Sequence, residues 1–407
     1  ADYGKSWKKI TGGIPGNEFT RVIRADHERP GLLYAGTERG AWVSADDGGS
    51  WETMQLNLPI VPVTDMAVKD GHLAVATQGR GYWMFDDLHL LRQAGDETLG
   101  DTPHLFRPAP GWWLQGRTAE KPVNQGKNPP IGAVMHYWLP ADLPADAPLE
   151  LVISDDSGEV IRTYTRKPAK DDESKSGEAD DDRLLTADAG LNHVVWNLRY
   201  PSVKRFEKLV LWNDYLDGPR AVPGVYTATL TAGETLQSVP VEVRQDPRSS
   251  ATADELQQQF DFAWSVNRKL TETHEAITRL RKARGQVESV AARVEDKEPY
   301  AEIQLAAEAL VENLDRIEET LYQTKLEARQ DPLNFPIRLN DKLAGVMLGA
   351  TIGDHPPTAS SIEVRDELFA AVDRQLDTLE DVLGSELDQF NALVAGSDLP
   401  AVAIGEE

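Results

Sequence analysis

The sequence contains no cysteine among its 407 residues. This absence excludes disulfide bonds, a catalytic thiolate and cysteine-ligated zinc. Long apolar runs are also missing, because the longest, residues 343–353, falls well short of the roughly 20 residues that a transmembrane helix needs. We therefore expect no transmembrane segment.

Basic residues are scarce. Lys and Arg total 42 against 67 Asp and Glu, which leaves a formal net charge of −25. Binding to nucleic acid or to an anionic membrane needs a basic face, so the composition argues against both. Apolar residues make up 40% of the chain, with 10 Trp and 10 Tyr, as is typical of folded protein with two or three domains.

Recognisable catalytic motifs are absent too. The sequence has no His-Glu-x-x-His, no Gly-x-Ser-x-Gly, no P-loop and no dinucleotide-binding glycine pattern, and its 8 histidines are scattered. With so many acidic residues, the carboxylate pair of a glycosidase cannot be picked out. We therefore assign no catalytic residue and expect no metal and no cofactor. Calcium, at Asp46 and Asp47 or in the acidic segment 170–182, is the alternative.

A short motif recurs near the N-terminus. Residues 2–7 read DYGKSW and residues 46–51 read DDGGSW, an offset of 44 residues. Ser44 precedes the second copy and completes the pattern Ser-x-Asp-x-Gly-x-Ser-Trp, whereas the chain opens inside the first copy. A degraded third repeat places GYW at 81–83 after GAW at 40–42. Repeats of about 40–45 residues with short strands predict β-propeller blades.

The motif has a physical reason. A tight hairpin turn needs a carboxylate that accepts backbone N–H groups, a glycine with positive φ and an aromatic ring packed beneath it. In the second copy, Asp46, Gly48 and Trp51 have these roles. The structural motif residues are, in the first copy, Asp2, Gly4 and Trp7, and in the second, Ser44, Asp46, Gly48, Ser50 and Trp51.

This motif is the Asp box, and through it the chain resembles the C-terminal part of bacterial BNR-repeat proteins of the sortilin-like, Vps10-type family labelled glycosyl hydrolases. Segments 76–88, 190–199 and 331–343 also resemble parts of that family. The resemblance implies that the motif residues brace turns and that the protein is periplasmic or secreted. It also implies that the remaining propeller blades, supplied as a separate chain or otherwise, are partners of residues 1–98.

The expected fold is therefore multidomain. A partial β-propeller at 1–98 precedes a linker at 99–130, an immunoglobulin- or fibronectin-like β-sandwich at 131–247, a helical bundle at 250–396 and a tail at 397–407. Short alternating strands predict the sandwich. Within it, residues 201–222 carry Phe206, Trp212 and Tyr215, which we expect to lie against the propeller, with stacking on sugars as the alternative.

The C-terminal part has helical periodicity. Thr252 and Glu255 form a capping-box pattern, and residues 360–363 offer another. Apolar residues spaced by four and three form a packing seam in one helix. They are Ile303, Ala307, Leu310, Leu314, Ile317 and Leu321.

Two functions follow from these patterns. The first is an exported binding or scaffold protein whose completed propeller holds a protein or carbohydrate ligand. The alternative is a glycoside hydrolase, sialidase- or xyloglucanase-like, whose catalytic carboxylates lie mainly in blades outside this sequence. Glu38, Arg39 and Arg80 follow strand ends and are the candidate ligand-binding residues.

Overall fold

The computed structural model describes residues 3–94, 100–114, 126, 128–167, 184–295 and 297–399. The chain divides into two compact units: residues 1–198 with 223–246, and residues 199–222 with 247–407. Sheets make up the first unit and helices dominate the second. The expected order of β-rich segments followed by a helical C-terminal region is thus confirmed.

Two antiparallel meanders open the first unit, one of four strands and one of three. The strands of the first sheet are β1 Thr20–Ala25, β2 Leu33–Thr37, β3 Ala41–Ser44 and β4 Glu52–Thr53. Those of the second sheet are β5 Val63–Lys69, β6 His72–Thr77 and β7 Tyr82–Phe85. Helix α1, Leu88–Gln93, follows.

The two meanders pack face to face. Val22 and Tyr34 of the first sheet share an apolar core with Val63 and Met66 of the second. Gly36 permits the close approach, because a Cβ there would lie 2.6 Å from Val22 Cγ1 and 2.5 Å from Val63 Cγ1. Any larger residue at this position would force the sheets apart.

The expected linker at 99–130 is wrong for two short stretches. Strand β8, His104–Leu105, pairs with β10, Ala133–Leu139. Strand β9, Gly111–Trp113, runs parallel to β16, Thr235–Gln245. Both thus belong to the middle sheets. Strands of two or three residues carry too little alternation to be recognised by pattern.

The other strands of the middle region are β11 Leu149–Ser154, β12 Val160–Arg166, β13 Leu184–Leu185, β14 Gly190–Trp196 and β15 Gly224–Ala232. They form a three-stranded sheet, β14-β10-β8, and a six-stranded mixed sheet, β13-β12-β11-β15-β16-β9. Trp196 on β14 meets Tyr226 on β15 edge-to-face, with ring centroids 5.1 Å apart, so a buried aromatic pair joins the two sheets.

The described part of the second unit contains five α-helices. They are α2 Ala253–Val294, α3 Ala301–Leu321, α4 Leu339–Thr351, α5 Ala359–Asp381 and α6 Leu387–Ala395. The capping box of Thr252 and Glu255 is present at the start of α2, and all six predicted seam residues of α3 are buried. The second predicted capping box is wrong, since Thr358 is the residue that caps α5, by accepting from the Ser361 amide.

Residues 199–222 belong to the helical unit, which corrects the expected sandwich boundary of 131–247. Phe206 is buried, with its ring centroid 5.1 Å from that of His274 and 5.0 Å from that of Tyr322. The guanidinium of Arg281 lies 4.6 Å from the Phe206 centroid. Phe206 therefore packs within the second unit, against α2 and the residue that follows α3, which corrects its expected position against the propeller.

Candidate functional site

The second copy of the motif closes the β3–β4 turn with a dense set of hydrogen bonds. Asp46 Oδ1 accepts from the Ser44 hydroxyl and the Ser50 amide, both at 2.8 Å, and Oδ2 accepts from the Ser50 hydroxyl at 2.7 Å. The Gly48 amide donates to Ser44 Oγ at 2.9 Å. Bonds from the Ser50 amide and hydroxyl, and then from Ser44, lower the pKa of Asp46 to about 2. The carboxylate is thus engaged in bracing its own turn.

Trp51 ties this turn to the preceding segment. Its side chain is only 4% exposed, its indole N–H donates to the Ile10 carbonyl at 2.7 Å, and its amide donates to the Gly12 carbonyl at 2.7 Å. Gly48, at φ +85°, allows Ile10 to approach. The turn and residues 10–12 therefore form one packed element.

The first copy of the motif does not reproduce this arrangement. Asp2 lies outside the described residues, and Gly4 has φ +82°. Trp7 is 91% exposed and does not pack beneath a turn as expected. Residues 3–19, all of them described, contain no strand for such a turn to join.

The candidate ligand residues Glu38, Arg39 and Arg80 occupy two equivalent hairpins. Glu38 forms an ion pair with Arg21, and Arg39 Nε lies 3.8 Å from the Glu18 carboxylate. Arg80 is exposed, and among the described residues nothing bonds to its guanidinium. These side chains therefore do not form one cluster.

The two hairpins nevertheless lie at the same end of the packed sheets. Gly36, which pairs with Val22, is close to Val63, while Arg24 donates to the Met66 carbonyl at 2.8 Å. Strands β1 and β5 thus run in the same direction, which places the β2–β3 and β6–β7 turns together at one edge. Loops at one edge of a rigid scaffold are common ligand sites.

The outward face of the second sheet is mainly apolar, and no other described element covers it. Tyr82 is 89% exposed, and Met84 is also exposed. Their cross-strand partners, Ala76 and Ala74, are small. The residues of this face, called here the outer face, are Asp65, Ala67, Ala74, Ala76, Tyr82 and Met84.

The strand register shows which face of the first sheet corresponds to the outer face of the second. Both sheets carry a break in register at the same place, between Thr20 and Val22 and between Val63 and Asp65.

The first pair after the break is Val22 with Gly36 in the first sheet and Asp65 with Ala76 in the second. These two pairs therefore occupy equivalent positions. Continuing across each sheet, Ala41 pairs with Gly36 and Tyr82 with Ala76. The outer face therefore repeats the face that the first sheet buries against the second.

Three imidazoles form a row that sequence reasoning missed. The ring of His136 on β10 lies 5.9 Å from His89 and 5.8 Å from His193, centroid to centroid. Asp87 Oδ1 is 3.7 Å from His89 Nδ1, and Asp87 Oδ2 is 4.0 Å from His136 Nε2. Burial lowers the pKa of His136 to about 4; Asp87 opposes this shift, and the two other imidazoles add to it. Across the described residues, no group of His, Asp or Glu is arranged to hold a metal ion.

A buried carboxylate joins α1 to the first sheet. Asp26 accepts from the Arg92 guanidinium at 3.0 and 3.1 Å and from the Tyr34 hydroxyl at 2.9 Å. Burial alone would raise the pKa of Asp26, but bonds from the amides of Glu28 and Arg29 and from these side chains outweigh it and lower that pKa. The cluster fixes α1 beside β1 and β2.

No protein-family model matches the sequence, and no curated protein matches it. Within the part of the chain that the structure describes, no helix is long and apolar enough to cross a membrane.

Proposed function

We propose that the two meanders are blades of an Asp-box β-propeller and that the protein is a periplasmic or secreted binding or scaffold protein. Its propeller holds a protein or carbohydrate ligand at the edge that carries Glu38, Arg39 and Arg80. The middle sheets form an immunoglobulin- or fibronectin-like sandwich, and the C-terminal helices form a bundle; both serve as docking modules.

One observation carries this proposal. The outer face of the second sheet is equivalent by register to the buried face of the first. In a propeller, successive sheets stack so that each one uses the equivalent face to pack on the next. The outer face is then where a further blade packs, and that blade is the proposed partner.

Physical chemistry supports such packing. Tyr82 and Met84 project from a face otherwise lined mainly by alanines, so a neighbouring sheet can approach closely. Burying a large apolar side chain contributes about 1.5–3 kcal/mol. Uncovered, the same pair is the kind of apolar surface that marks an interaction site.

The Asp box itself has a supporting role in this proposal. All the bonds of Asp46 described above close its own hairpin. The box therefore stabilises the blade, while ligand selection belongs to the loops at the hairpin edge.

Two methionines on opposite faces of the second sheet provide the test. Met66 is buried between the two sheets, whereas Met84 is on the outer face. We expect peroxide to oxidise Met84 quickly and Met66 slowly in the purified 407-residue chain. In protein isolated from its natural source, a further blade should protect Met84 as well. Rapid oxidation of Met84 in that material would contradict the proposal.

A further inference from the structure

The helical unit contains an open cleft that none of the functions above uses. It has a volume of about 590 Å³ and lies between residues 212–215, residues 329–330 and helix α4. Small-molecule sites commonly measure roughly 300–1,000 Å³. The residues that line the cleft in these three segments are Trp212, Tyr215, Arg329, Gln330 and Leu348, beside Asn213 and Asp214.

A buried carboxylate fixes one wall of the cleft. Asp341 of α4 is almost fully buried and accepts from the Trp212 amide at 2.8 Å and from the Asn213 amide at 3.0 Å. The Asn213 side chain adds a bond to the same carboxylate at 2.8 Å. Gly345 leaves room for it, since a Cβ there would lie 3.0 Å from Asn213 Nδ2. The backbone that carries Trp212 is thus held rigidly on α4.

The side chains of Asp214 and Tyr215 are also fixed by polar contacts. Arg205 forms an ion pair with Asp214 at 2.8 Å, and Arg199 donates to the Tyr215 hydroxyl at 2.9 Å. The Arg199 guanidinium also lies 5.9 Å from the Tyr215 ring centroid. The lining of the cleft is therefore preorganised, which lowers the entropic cost of binding a ligand.

The side chains of the cleft that remain available to a ligand provide an aromatic surface and planar hydrogen-bond donors. Trp212 is 44% exposed although its backbone is fixed. Arg329 and Gln330 are exposed, and in the described chain their side chains form no hydrogen bond. A guanidinium offers five N–H donors, and an amide offers both a donor and an acceptor.

We propose that this cleft binds an oligosaccharide, with a pyranose ring on Trp212 and its hydroxyls bonded to Arg329 and Gln330. The C–H groups on one side of a pyranose carry partial positive charge and match the negative face of an indole ring. The hydroxyls at the rim of the same sugar need planar, multiply bonding partners, which the two exposed side chains supply. Leu348 contributes apolar contact. This binding site is independent of the proposed propeller.

The test is calorimetric titration of the full chain with four probes. These are the β-1,4-linked tetrasaccharides of glucose, xylose, mannose and N-acetylglucosamine. We expect at least one to bind, Trp212→Ala to weaken that binding at least tenfold, and Trp212→Phe to retain part of it. Replacing Arg329 and Gln330 together by alanine should also weaken it at least tenfold.

Trp112→Ala is the matched control, because Trp112 is a partly exposed tryptophan of the first unit. Binding by this variant should equal that of the wild type, and thermal unfolding should show that every variant is folded. No binding of any tetrasaccharide would overturn the proposal, as would equal binding by Trp212→Ala and the control. Selection from a random peptide library of ligands that depend on Trp212 would overturn it in favour of a peptide site.

Discussion

Tyr82 in the second meander occupies the position of Ala41 in the first, yet Tyr82 is 89% exposed and Ala41 is 1% exposed. The same register position is thus covered in one sheet and open in the other. This pair of residues defines the face through which we propose that blades stack.

The pair gives a direct prediction for stability. In the purified chain, Ala41→Asp places an unpaired carboxylate in the core between the sheets and should cost several kcal/mol. Tyr82→Asp changes an exposed residue and should alter the unfolding free energy by less than about 0.5 kcal/mol. Urea denaturation measures both. Equal losses would show that the outer face is covered within the chain itself.

A second pair compares the two copies of the motif. Trp51→Ala removes a buried ring and its bond to Ile10, and should lower the unfolding free energy by about 3–5 kcal/mol. Trp7→Ala removes an exposed ring and should change it by less than about 0.5 kcal/mol. If both variants lose the same stability, the first copy also packs as an Asp box.

The buried Asp26 provides a third prediction. Asp26→Ala leaves Arg92 Nε and the Tyr34 hydroxyl without the carboxylate that accepts from both, which should cost about 3–5 kcal/mol. Glu28 contacts the same guanidinium at 2.8 Å but is mostly exposed, so Glu28→Ala should cost less than about 1 kcal/mol. Denaturation by guanidinium chloride compares the buried ion pair of Asp26 with the surface ion pair of Glu28. Similar small losses of unfolding free energy in both variants would contradict the role of Asp26.

The histidine row predicts a dependence of stability on pH. The pKa of His136 is lowered to about 4 in the folded protein, whereas an unfolded histidine titrates near about 6.5. The unfolded chain therefore binds the proton first as the pH falls. The contribution of His136 is complete above about pH 6.5, is lost between about pH 6.5 and 4, and stays lost below that range.

His136→Phe should reduce the fall in unfolding free energy between about pH 6.5 and 4. Urea denaturation from pH 4 to 8 measures this dependence. His27→Gln is the control because His27 is exposed, and it should keep the wild-type slope. A His136→Phe curve as steep as that of the wild type would show that His136 does not carry the dependence.

Local patterns predicted the local elements well. The six apolar residues predicted as the α3 seam, from Ile303 to Leu321, are all buried. In this helix the apolar period itself encodes the burial. A capping box is equally local, since its two partners are three residues apart.

Features that depend on distant pairing could not be predicted in this way. His136 and His193 are cross-strand partners, and their proximity follows only from the register of two strands far apart in sequence. Likewise, the burial of Phe206 against His274 and Tyr322 depends on tertiary packing. The candidates Glu38 and Arg80 lie in separate hairpins. A sequence repeat shows that two residues occupy equivalent positions in their own sheets, but not that their side chains meet.

The most direct test of the propeller proposal is photo-cross-linking from position 82 in the natural host. A benzophenone amino acid replaces Tyr82 in one variant and, as a control, the exposed Val160 on β12 in another. We predict efficient cross-linking from position 82 to peptides of a further Asp-box repeat, and little from position 160. Cross-linking at position 82 no stronger than at position 160 would contradict the stacking of a further blade on this face.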